Sequence, residues 1–142
     1  KTGIVHGDYS LTNVMIGKND PNVIAILDWE LSTLGDPCAD FNYHCLQYTM
    51  NPKLADKEYC KAQGIPVIDD YVKMYSEKIN IDLTEEWDLY SAYNLFKLAG
   101  ILQGILGRVR DGTAAHENAA ERASGVKNLS DTAWALVEKN FI

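Results

Sequence analysis

No apolar run in these 142 residues approaches the roughly 20 residues that a membrane-spanning helix needs, and no signal-peptide pattern opens the chain. Cysteine is sparse: Cys38, Cys45 and Cys60 make an odd number with no C-x-x-C pair. Cys38 and Cys45 fall on one helix face about 10 Å apart, beyond disulfide reach. All three read as reduced thiols in an intracellular protein, with the organelle left open. Positive charge is the minority: 13 Lys and Arg face 20 Asp and Glu, for a net charge of −7. Such a surface repels phosphate backbones, so no nucleic-acid partner is expected. The phosphate-cradling pattern G-x-x-x-x-G-K-[ST] is missing, and Gly17-Lys18 lacks its spacing. Gly100, Gly104 and Gly107 sit inside a helix-period apolar run and read as a small-residue groove for close helix packing. His44 and His116 have no carboxylate or cysteine partners at ligand spacing, which disfavours a zinc site. Internal repeats and dividing linkers are also absent.

What remains is 46% hydrophobic and 23% charged, the balance of a globular chain with a core. Residues 14–16 and 23–28 are β-rich and flank the turn cluster 17–22, the pattern of a hairpin. Placing Ile16 opposite Val23 sets Asn13 opposite Ile26, with Asp28 on the same face. Val14, Ile16, Val23, Ala25 and Leu27 then form a buried apolar face. Asp36-Pro37 opens a helix that runs to about Tyr48 and stops at Asn51-Pro52. Residues 53–64 are polar and irregular, partly helical at most. A second helix spans 68–79, with Ile68, Tyr71, Val72, Tyr75 and Ile79 inward. Thr84 caps a long one from Glu85 to about Arg110, apolar on most sides and therefore central. Residues 114–123 read as a lid-like or irregular helical piece, and Leu129, Ala133, Leu136 and Val137 mark a last helix. The fold class is α+β, mostly α.

The chemistry concentrates in His6-Gly7-Asp8-Tyr9-Ser10-Leu11-Thr12-Asn13 and Ile26-Leu27-Asp28-Trp29-Glu30. An acid, an amide on D-x-x-x-x-N spacing, and a second acid closing an apolar run are the parts that kinase-type phosphoryl transfer needs. Asp8 is the candidate base that takes the proton of an acceptor hydroxyl. Asn13 and Asp28 offer magnesium hard oxygen ligands, few in number because phosphates and water complete the shell. Each has a structural alternative: an Asx-turn for Asp8, a strand-edge residue for Asn13, a strand-end cap for Asp28. His6 and Asp36 are read as shaping the loop, His6 through backbone hydrogen bonds and Asp36 by bracing residues 6–8 or by capping its helix. Glu30 can reach a metal or a loop backbone.

H-G-D-Y-S-L-T-N, the hairpin, I-L-D-W-E and G-D-P-C-A-D together resemble the aminoglycoside phosphotransferase and choline kinase group of the protein-kinase-like fold. The stretch W-E-L-S-T-L-G-D-P is most similar to the phosphotransferase-like domains joined to acyl-CoA dehydrogenases. The resemblance is strong from His6 to about Asp40. It implies the C-terminal lobe of such a fold, with a catalytic loop, a hairpin and about five helices. It implies ATP as donor, Mg2+ as cofactor and a small-molecule hydroxyl as acceptor. Asp8 would be the catalytic acid–base residue, Asn13 and Asp28 the metal ligands. The family's nucleotide-covering loop, phosphate lysine and its glutamate lie in an N-terminal lobe that these residues do not include. The expectation is therefore one lobe, residues 1–142, of a longer protein, inactive by itself.

The acceptor would lie against the helices at Tyr43–Met50 and Glu85–Arg110. An acidic surface suits a cationic acceptor, whereas the dehydrogenase-linked resemblance suits a hydroxyacyl one. Trp29-Glu30 after Asp28, in place of Phe-Gly, argues against a protein substrate. Two other readings compete: a pseudokinase-type binding module without turnover, and a metal-dependent phosphohydrolase, which lacks a D-x-D cluster near the loop.

Overall fold

Residues 2–113, 120–121 and 124–142 are described by the computed structural model. Most of the expected lid-like piece, residues 114–119 and 122–123, lies outside them. Two small antiparallel sheets begin the first of two compact units, Lys1–Glu85. Strand β1 (Gly3–Val5) pairs with β4 (Thr33–Gly35), and β2 (Val14–Ile16) pairs with β3 (Val23–Ile26). The β1–β4 pair, with Ile4 opposite Leu34, closes the chain around the two motifs.

In the expected hairpin Ile16 does oppose Val23, but a bulge beyond it changes the rest. Ile24 is the extra residue, so Val14 rather than Asn13 faces Ile26. Asn13 instead meets Leu27, whose N–H donates to the Asn13 carbonyl at 2.8 Å. The expected buried face is not found. Ile16 and Val23 are 55% and 58% exposed, and Leu27 is exposed too. A two-stranded ribbon buries a face only where a second layer covers it, and these side chains remain open to solvent.

Six helices follow among the described residues: α1 (Pro37–Met50), α2 (Pro52–Ala55), α3 (Lys57–Gln63), α4 (Ile68–Ile79), α5 (Trp87–Arg110) and α6 (Val126–Phe141). The architecture is α+β and mostly α, as expected. Helix α1 starts where the sequence indicates: Asp36 accepts the Cys38 N–H at 2.9 Å, and Pro37 fills the first position, where no donor is needed. The polar stretch 53–64 is more helical than expected, because Asn51 and Asp56 each cap a short helix. Helix α4 has the expected bounds, and Asn80 ends it in a left-handed conformation (φ 53°). Its inward face meets α1, where Phe41 stacks on Tyr75 at 3.8 Å and meets Tyr71 edge-on. Phe41, Cys45, Leu46, Cys60 and Val72 are buried, and the three cysteines are free thiols.

The second unit, Glu86–Ile142, contains α5 and α6. Helix α5 begins later than expected, because Thr84 is drawn into a turn with Asp82: its N–H and hydroxyl both donate to the same Asp82 oxygen, at 2.8 and 2.7 Å. The helix is buried on one side only, at Ser91, Ala92, Asn94, Leu95 and Ala99, while Phe96 is 71% exposed. Among the described residues no element packs closely on the expected glycine groove. A methyl group at Gly100 or Gly107 would meet nothing described within 4 Å. Asp88, at the start of α5, accepts from Asn140 at 2.8 Å and Lys139 at 3.3 Å, pinning the end of α6. No helix among the described residues is long and apolar enough to cross a membrane.

Candidate active site

The loop after β1 turns at Gly7, which adopts φ +85°. A side chain there would be strained, and its Cβ would lie 2.5 Å from the Leu31 carbonyl oxygen. Glycine thus lets the loop pass tightly under the 3-10 turn at Trp29–Leu31. His6 is buried, and its ring joins both motifs. Nε2 donates to the Leu27 carbonyl at 2.7 Å, and Nδ1 accepts the Asp8 N–H at 3.3 Å. One tautomer, protonated at Nε2, serves both bonds. The Trp29 ring packs on this imidazole at 4.8 Å. With both ring nitrogens held by backbone, His6 acts as a strut between the Asp8 loop and the end of β3.

Asp8 and Asn13 are in direct contact. Asn13 Nδ2 donates to the Asp8 carbonyl at 2.9 Å and lies 3.4 Å from Asp8 Oδ2. This commits the nitrogen end of the amide to Asp8 and leaves Oδ1 as the donor atom for another group. Asp28 directly follows Leu27, the residue bonded to Asn13. Asp28 is exposed and left-handed (φ 65°, ψ 55°). Such a conformation in a non-glycine residue costs of order 1 kcal/mol, and it recurs where function fixes the backbone. Among the described residues no three His, Cys, Asp or Glu side chains gather as a protein-only metal site. One amide and one carboxylate sharing an ion with phosphates need no such cluster. Glu30 lies exposed in the following turn.

Of the two roles expected of Asp36, the helix cap is seen: its carboxylate accepts the Cys38 N–H. The carboxylate that grips the loop backbone is Asp40, one turn later. It accepts the N–H of His6 through Oδ2 and that of Gly7 through Oδ1 at 3.0 Å. Sequence reading missed Asp40, although its i+4 spacing from Asp36 places it on the same helix face. Next to it on α1, Tyr43 reaches the loop as well. Burial, the negative charge of Asp8 and a hydrogen bond to its carboxylate raise the Tyr43 pKa. The His44 ring packs against Tyr9 at 5.5 Å and hydrogen-bonds Tyr71 at 3.3 Å, and burial lowers its pKa.

Comparison with known proteins adds to this geometry. A family model described as "Phosphotransferase enzyme family" matches residues 1–93. Acyl-CoA dehydrogenase family member 10 of Mus musculus is 35% identical over 98% of this chain and 14% of its own length. Acyl-CoA dehydrogenase family member 11 of Homo sapiens is 32% identical over 97% of this chain and 18% of its own length. The chain therefore spans less than a fifth of these relatives. A crystal structure of a Ralstonia eutropha JMP134 protein assigned as an aminoglycoside phosphotransferase superposes with a TM-score of 0.87 at 40% identity, covering 97% of this chain and 43% of that one.

Proposed function

Because the chain belongs to the phosphotransferase enzyme family, we propose that it carries the catalytic loop of an ATP- and magnesium-dependent kinase acting on a hydroxyl of a small molecule. The observation that carries this reading is the Asn13 amide fixed against Asp8, with Asp28 following the residue that pairs with Asn13. Asp8 orients the acceptor hydroxyl and receives its proton as the oxygen–phosphorus bond forms and ADP leaves. Asn13 Oδ1 and the Asp28 carboxylate are hard oxygen donors that suit magnesium. When bound, that ion offsets charge on the phosphates. His6 and Asp40 hold the loop in register for both tasks, and Asp36 fixes the start of the helix that carries Asp40.

The nucleotide-covering lobe is assigned to another part of the same longer protein. Two facts support this: the relatives extend far beyond the matched region, and Ile4, Leu34, Ile16, Val23 and Ile24 leave apolar side chains exposed on the two small sheets. On this reading residues 1–142 alone turn over no ATP.

The test is a phosphorylation screen with full-length protein and magnesium–ATP over aminoglycosides, choline, sugars and hydroxyacyl thioesters. Phosphoryl transfer to one class that is lost in Asp8→Asn, with nucleotide still bound, supports the proposal. Nucleotide binding without any transfer points to a pseudokinase-type binding module. Unchanged transfer in Asp8→Asn removes Asp8 from its role.

A further inference from the structure

Helix α1 lies along the catalytic loop through one face. Asp40 takes the backbone N–H groups of His6 and Gly7. The His44 ring meets the Tyr9 ring. Between them in sequence, the Tyr43 hydroxyl hydrogen-bonds the Asp8 carboxylate. Positions 40, 43 and 44 are i, i+3 and i+4, which share a helix face. Residues 6–9 therefore meet this face in order, with the carboxylate opposite Tyr43.

Resting on the reading of Asp8 as the base, we infer that Tyr43 is a positioning residue, whose phenol O–H and the Asn13 amide together fix the plane of the Asp8 carboxylate toward the acceptor hydroxyl. A carboxylate offers about four acceptor sites, so two donors leave room for a third. A partly exposed aspartate without them would sample several rotamers. Tyr43 remains a donor at neutral pH, since burial and the neighbouring charge keep its phenol protonated. Neither donor takes up the proton released in the reaction, so their role is geometric. Misplacing a reacting group by about 1 Å costs on the order of a hundredfold in rate.

The experiment uses full-length protein with magnesium–ATP and water as acceptor, reading ATP hydrolysis in wild type, Tyr43→Phe, Asp8→Asn and the double variant. The expected result is a fall of about 10- to 100-fold in kcat for Tyr43→Phe, with the KM for ATP unchanged and no further loss in the Asp8→Asn background. Three results overturn the assignment: kcat within about twofold of wild type, the same fractional loss with and without Asp8, or a loss expressed only in KM. Hydrolysis at the wild-type rate in Asp8→Asn instead refutes the underlying reading of Asp8. A second measurement is independent of turnover: NMR titration of 13Cζ-labelled tyrosine, with the Tyr43 signal identified by its absence in Tyr43→Phe. The phenol should titrate at lower pH in Asp8→Asn than in wild type. An unmoved titration shows that the two groups are not coupled and ends the proposal.

Discussion

Replacing Asp40 with alanine removes both acceptors that hold the His6 and Gly7 amides. The two losses are unequal. His6 is 3% exposed, so its N–H has no route to water, whereas Gly7 is only partly buried. A hydrogen bond to a charged acceptor contributes about 1.5–3 kcal/mol, and an orphaned buried donor carries a desolvation penalty of similar size. Asp40→Ala should therefore cost about 3–5 kcal/mol, a large share of a typical domain's total stability. Asp40→Asn keeps one neutral acceptor and should cost roughly half as much. Urea melts followed by fluorescence measure the loss, with a constant m-value showing that compactness is unchanged. Amide hydrogen exchange localises it: protection at His6 and Gly7 should fall in Asp40→Ala more than protection in α5. A cost below about 1 kcal/mol, or unaltered exchange at those two amides, would refute the claim that Asp40 anchors the loop.

Phe41 is buried and stacked on Tyr75; Phe41→Ala should cost about 3–5 kcal/mol in the same melts. Gly7→Ala introduces a Cβ 2.5 Å from the Leu31 carbonyl at a φ of +85°. It should destabilise by more than about 1 kcal/mol and depress turnover as the loop shifts. His44 gives a pH dependence. Burial lowers its folded pKa below the ordinary 6.5, so the unfolded chain takes up the proton first. This contribution to stability is complete above pH 6.5, declines as pH falls from there toward the folded pKa, and is flat below it. Melts from pH 8 to 5 should show that decline, and His44→Gln should lessen it. Asp28→Gly relieves a left-handed aspartate but frees the unfolded chain, so stability should stay within about 1 kcal/mol of wild type. Turnover should nevertheless vanish with the carboxylate, measured as ATP consumption by the full-length protein.

Local signals in the sequence carried well where the physics was local. Asp36-Pro37 marks a helix start because a cap and a missing N–H act within one turn, and α1 begins there. The i, i+3, i+4 pattern of Ile68, Tyr71, Val72 and Tyr75 gives α4 its bounds and its inward face. The bulge at Ile24 left no such mark. Residues 23–27 are all apolar, so alternation cannot show which one drops out of the ladder. Thr84 was misread for a related reason: a threonine before two glutamates suits a cap, but Asp82 two residues earlier competes for the same hydroxyl. Asp40 escaped notice because its partners are backbone groups some thirty residues away, and a backbone N–H has no sequence signature. The β1–β4 pairing is likewise non-local. Both strands are apolar as read, but the bulge pairs Val14 with Ile26 and Met15 with Ala25, so the expected apolar face is not kept. Burial did not follow, since it depends on what packs against them.

The candidate site is held from its backbone. Asp8 is fixed by its own N–H on His6 and its own carbonyl on Asn13. The two preceding amides are fixed by Asp40, and the His6 ring carries the restraint across to the Leu27 carbonyl beside Asp28. With the backbone carrying most of the support, the Asp8 carboxylate is left, among the described residues, with only the Asn13 amide and the Tyr43 hydroxyl as donors, whereas direct bonds between the two acids or their ligating ends would consume the lone pairs that the proposed phosphate chemistry requires. This explains why the supporting residues outnumber the reactive ones, and why a histidine in such a loop serves as a strut. It also separates two kinds of damage. Loss of a strut should lower stability and turnover together, while loss of a reactive oxygen should lower turnover alone. Asp40→Ala and Asp28→Gly fall on opposite sides of that division, and finding them on the same side would mean that support and chemistry are not separable in this loop.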